Sequence, residues 1–180
     1  QAMALNNAGT ISADDALSFT GTDLDNSHGT FTGNAGVTLD LLGTLTNNYG
    51  KLSSAGPLLL QRSTQINNQN GGINSQDLLT LLTGSLDNSQ NGTIGASETL
   101  LVTASGKVDN STGGLIASRN ADLQLDADSL GNSKGSLQGK GAVTLNVTGD
   151  IDNQSGKVIA QDGDLSITAA NLDSRGGLLS

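Results

Sequence analysis

Short runs of alternating apolar and polar residues fill the chain, and no segment carries a 3.6-residue period. The apolar spacing is therefore that of strands throughout. Aligning an aliphatic residue two positions before an asparagine divides the sequence into units. They begin at Leu5, Leu24, Leu45, Ile66, Leu86, Val108, Leu130, Ile151 and Leu172, at intervals of 19 to 22 residues. The asparagines are Asn7, Asn26, Asn47, Asn68, Asn88, Asn110, Asn132 and Asn153, and Ser174 takes the place in the last unit. A glycine follows each at Gly9, Gly29, Gly50, Gly71, Gly92, Gly113, Gly135, Gly156 and Gly176. Two residues further on stands Ile11, Phe31, Leu52, Ile73, Ile94, Leu115, Leu137, Val158 or Leu178. An alternating apolar pair such as Leu123/Leu125 or Val143/Leu145 completes the unit.

Internal repeats of this length indicate a solenoid. A leucine-rich repeat would follow its asparagine with a leucine and a helical or extended return arm; here a turn and a glycine follow. Three short strands per unit, joined by turns, predict an all-β fold, a parallel β-helix of about 21 residues per coil and 8 to 9 coils. Nothing in the sequence itself displays its hand; general chirality makes a right-handed coil the expectation. Residues 1–180 form one repeat array. It begins and stops within a repeat, so it is expected to continue on both sides.

Stacked coils place identical residues about 4.8 Å apart, the interstrand spacing. The eight asparagines are thereby predicted to form an internal amide ladder, each hydrogen-bonding its neighbour and the turn backbone. Asparagine and glycine at the corners suit left-handed backbone conformations. Leu123 and Leu125 are expected to face the core, with Gln124 and Asp126 outside.

Composition narrows the functions available. Eight Lys and Arg against 17 Asp and Glu give a net charge of −9, and there is no Trp. Such a chain lacks the charge and the stacking platforms of nucleic-acid binding, so nucleic acid is excluded as a partner. Without cysteine there is neither a disulfide nor a thiolate metal site. Runs of Leu, Ile and Val reach only three residues, as in Leu58-Leu59-Leu60, far shorter than a membrane span. No signal peptide is visible.

Candidate chemistry is sparse, and no cofactor signature occurs. His28 follows Asp25-Asn26-Ser27, but neighbours in one turn do not align a nucleophile, a base and its orienter, so it reads as a turn residue. Asp87 and Asp109 share an offset, as do Asp152 and Asp173; they read as solvated turn residues rather than a Ca²⁺ site, since no Ca²⁺-loop motif is present. Uniform intervals leave no room for the long loops with which β-helical enzymes build a cleft. Arg62, Arg119 and Arg175 fall at different offsets. No enzyme activity is therefore expected. Tyr49, in a turn, is the one aromatic placed for a glycan, but a single ring is a poor site and the net charge disfavours a sulfated glycan; Phe19 and Phe31 sit at core offsets.

The units resemble a known family. Leu86-Asp87-Asn88-Ser89 with Gly92-Thr93-Ile94-Gly95-Ala96, Val108-Asp109-Asn110 through Ser118, and Ile151-Asp152-Asn153 through Ala160 are similar to the haemagglutinin repeat of filamentous-haemagglutinin-like exoproteins. The resemblance covers residues 5–180. Like general chirality, it implies a right-handed coil. It implies a stalk segment of a large two-partner-secretion protein, secreted or held at the bacterial surface, an adhesin or a contact-dependent growth inhibition exoprotein. Its implied partners are adjoining repeats of its own chain, an outer-membrane transporter and, through other parts of the parent, a receptor on a target cell. The N-P-N motifs of the family's secretion domain are absent from this sequence. A receptor- or glycan-binding module on the flank of the helix is the alternative.

Overall fold

The computed structural model describes residues 3–180. Gln1 and Ala2, the first two residues of the array as drawn from sequence, lie outside the described residues. The chain winds through three strands per coil, and each strand pairs in parallel with its equivalent in the coils before and after. The first sheet has nine strands, from Leu5–Asn6 to Asn171–Asp173; the second has nine, from Thr10–Ala13 to Leu178–Leu179. The third has eight, from Ala16–Gly21 to Leu165–Thr168. No helix occurs among the described residues. The result is the parallel β-solenoid that the repeat predicts.

Alternation decides which residues make the core. In the first sheet the inward residue is the aliphatic of each unit, so Leu24, Leu45, Ile66, Leu86, Val108, Leu130 and Ile151 stack in one buried column. The third sheet supplies three columns, among them Leu123, Leu125 and Ala127, which are buried while Gln124 is exposed and Asp126 half-buried. Each fully buried Leu or Ile contributes about 1.5–3 kcal/mol relative to its exposed state. Repetition makes a slim core continuous along the rod. Phe19 and Phe31 are the two aromatics within it.

In the second sheet two of the expected core positions are displaced by one residue. Ile116, not Leu115, pairs with Ile94 and Leu137, and Leu115 faces outward beside Thr93 and Ser136. Leu179, not Leu178, is the partner of Val158. Both shifts follow from a doubled glycine in the preceding turn. The third sheet carries one irregularity, where Asp40 aligns with Arg62 so that Gln61 is extra.

Small residues close the second-sheet strand where the chain turns. Ser54, Ser75 and Ser118 are buried there, and their hydroxyls donate to the carbonyls of Pro57, Gly56 and Glu98. Every buried side-chain polar atom among the described residues has a hydrogen-bond partner.

Candidate functional site: the asparagine turn and the flanks

The asparagine turn joins the first sheet to the second. Asn26, Asn47, Asn68, Asn88, Asn110, Asn132 and Asn153 are fully buried and Asn7 nearly so. Each Nδ2 donates to Oδ1 of the next: Asn7 to Asn26 at 2.8 Å, Asn26 to Asn47 at 2.8 Å, Asn47 to Asn68 at 2.8 Å. The column continues through Asn88 at 2.7 Å, Asn110 at 2.8 Å, Asn132 at 2.8 Å and Asn153 at 2.7 Å. It ends where Asn153 donates to the hydroxyl of Ser174 at 3.0 Å. The same Nδ2 atoms also reach the next coil's backbone, as from Asn110 to the Ser136 carbonyl at 3.0 Å. One side chain thus ties its own turn to the coil above.

The glycine that closes this turn is there for space, not for its backbone angles. A Cβ at Gly50, Gly71, Gly92, Gly114, Gly135 or Gly156 would collide with the preceding coil's ladder carbonyl and with the Oδ1 of its own asparagine. The left-handed backbone belongs to the residue before it: His28, Tyr49, Asn70, Asn91, Lys134 and Ser155 all have positive φ. In two coils that position is itself glycine, Gly113 (φ 87°) and Gly176 (φ 66°). The invariant glycine of those units is therefore Gly114 and Gly177 rather than Gly113 and Gly176. The turns after Asn88 and Asn110 are also one residue longer, with Gln90 and Thr112 likewise at positive φ.

Aspartates before the asparagine brace the turn from outside. Oδ1 of Asp25, Asp87, Asp109 and Asp152 accepts the backbone N–H two residues on, at 2.9 to 3.0 Å. Asp87 and Asp109 are Cα partners in adjacent coils, as are Asp152 and Asp173. The second oxygens of Asp87, Asp109 and Asp173 are engaged by side chains: Gln69 donates to Asp87, Lys107 to Asp109 and Arg175 to Asp173. Burial pushes the Asp109 carboxyl up, but hydrogen bonds from Lys107 and Ser111 and the Lys107 charge outweigh it and hold the group below the ordinary carboxylate value.

The isolated candidates from sequence are scattered. The His28 ring stacks on Tyr49, with centroids 5.1 Å apart and planes 3° apart. Asp25 is occupied by the Ser27 backbone. Tyr49 is 61% exposed. Arg62 lies on the third sheet paired with Asp40, Arg175 in the asparagine turn paired with Asp173, and Arg119 in the turn between the second and third sheets.

The geometry therefore points to a structural repeat. The family model for the haemagglutinin repeat matches residues 1–48, 53–112, 110–155 and 153–180. The chain belongs to the haemagglutinin repeat family. No curated protein and no solved structure matches it. In this haemagglutinin repeat array the aliphatic-Asp-Asn signature has a direct physical meaning. The aliphatic fills the core, the aspartate caps the turn from outside and the asparagine joins the ladder.

Proposed function

We propose that this array is a length of shaft in a filamentous exoprotein of the bacterial surface, holding a distal adhesive or toxin-bearing region away from the cell. The carrying observation is that all three sheets keep their pairing through eight successive coils, and two of them into a ninth, with no loop among the described residues large enough to interrupt the column. Such a body has one adjustable property, its length, which grows by about 4.8 Å for each coil. Eight rises give roughly 40 Å. Export through an outer-membrane transporter as an unfolded chain suits this design, because each coil rests mainly on its neighbours and can be added in sequence.

The test is deletion of one whole coil in the parent protein. Removing residues 88–109 joins Asp87 to Asn110 and restores the ladder step with Asn68 below and Asn132 above. A spacer tolerates this with target-cell binding or toxin delivery nearly unchanged. Loss of that activity, with the shortened array still folded, would refute the spacer role.

A further inference from the structure

The net charge conceals a segregation. None of the 17 carboxylates lies in any second-sheet strand or in the asparagine turn that leads into it. The ion pairs Arg62–Asp40, Lys107–Asp109, Lys140–Asp162 and Arg175–Asp173 account for four of the eight cations. The other four are Lys51, Arg119, Lys134 and Lys157, and all stand on or beside this acid-free flank. Two adjoining clefts of about 390 and 290 Å³ run along its outer face, and Arg119 lines both. Its side chain reaches over Gly95, where the guanidinium passes 3.9 Å from the place a Cβ would take. Asn74, Ser53 and Thr32 continue one cleft; Gln138 and Lys140 continue the other.

We propose that this flank binds a linear acidic glycan of the polyuronate type, with Arg119 pairing a sugar carboxylate in bidentate fashion. The inference goes beyond the shaft role and does not depend on it. Three features select this ligand. The strands here are paired on both edges by adjacent coils, so an extended peptide finds no free backbone for strand addition. The floor offers hydroxyl, amide and guanidinium groups, which suit a chain rich in hydroxyls. The free cations are sparse, and the other flanks carry the carboxylates, with Asp77, Glu98 and Asp162 along the turn that bounds the cleft. A densely sulfated polymer would meet those charges, whereas one carboxylate per sugar can stay within a Debye length, about 10 Å at 0.1 M salt, of Arg119.

Calorimetric titration of the 180-residue chain with hexagalacturonate tests this, with the fully methyl-esterified oligomer and polyglutamate of similar length as comparisons. The proposal expects saturable, salt-sensitive binding of the uronate alone. It also expects Arg119→Gln to weaken binding by about tenfold, the worth of one charge-assisted pair, and Lys107→Gln to leave it unchanged. Arg119 is exposed, so its replacement leaves the core untouched. No saturable uronate binding, equal binding by the Arg119→Gln variant, or polyglutamate binding as tightly as the uronate would overturn it.

Discussion

Asn88 and Asn110 stand 22 residues apart in sequence and are joined by one amide-to-amide hydrogen bond of 2.8 Å inside the rod. Each belongs to one of the two long turns, and the ladder passes through both without a break. The column is therefore set by the coil interior, and the extra residue is pushed outward to Gln90 and Thr112. Replacing Asn110 by Ala removes the donor to Asn132 and the acceptor for Asn88 in a buried site. The expected cost is about 1–3 kcal/mol. Asn110→Asp should cost more, because its carboxylate cannot donate to Asn132 and is buried. Urea titrations of the two variants check the order.

Register is tested on the third sheet. Leu125→Asp puts a carboxylate into a closed core and should exceed the about 2–5 kcal/mol of a large-to-small core substitution. Gln124→Asp, one residue away on the solvent side, should change stability by no more than about 0.5 kcal/mol. Equal midpoints for the two in a denaturant titration would contradict the assigned faces.

The doubled glycines separate two reasons for glycine. A Cβ on Gly114 would lie 2.5 Å from both the Asn88 carbonyl oxygen and the Oδ1 of Asn110, so Gly114→Ala should cost about 1–3 kcal/mol through overpacking. Gly113 has the left-handed conformation that Asn70 and Asn91 adopt in other coils, and a Cβ there would meet only the Oδ1 of the exposed Asn91 side chain, which can swing aside. Gly113→Asn should therefore be the milder change. Thermal unfolding of the pair settles which glycine is sterically required.

That pair also marks the limit of what was legible in the sequence. The period, the three-strand coil and the asparagine column can be read because each recurs with the same chemistry at nearly constant spacing. In Gly113-Gly114 and Gly176-Gly177 either residue satisfies the pattern by eye. Only the clash with the ladder carbonyl selects the second, and with it Ile116 and Leu179 as the inward positions. The charge segregation is hidden for another reason. Carboxylates and cations are interspersed along the chain, and only coiling gathers Lys51, Arg119, Lys134 and Lys157 on one flank. The ring contact of His28 with Tyr49 joins neighbouring coils at a shared turn position, and becomes visible once those coils are stacked.

Acid should weaken the coil through Asp109. Its folded pKa lies below the unfolded value, so its stabilising contribution is complete above about pH 4 and is lost as pH falls through the folded value. The stability difference between the natural protein and Asp109→Asn should be constant near neutrality and shrink on acidification below about pH 4. A difference that grows on acidification would contradict the assigned sign. Denaturant midpoints from pH 7 to pH 2.5 provide the measurement.

The chain is a rod whose length is counted in coils. The absence of native cysteine allows spin labels to be placed by pairs of cysteine substitutions on the outer face of the first sheet. Asp25, Asp109, Asp152 and Asp173 all lie on that sheet, in the second, sixth, eighth and ninth coils. Double electron–electron resonance from Asp25 to the other three should give distances of roughly 19, 29 and 34 Å, rising by about 4.8 Å per coil. Distances that fail to increase with coil number would contradict the stacked-coil account.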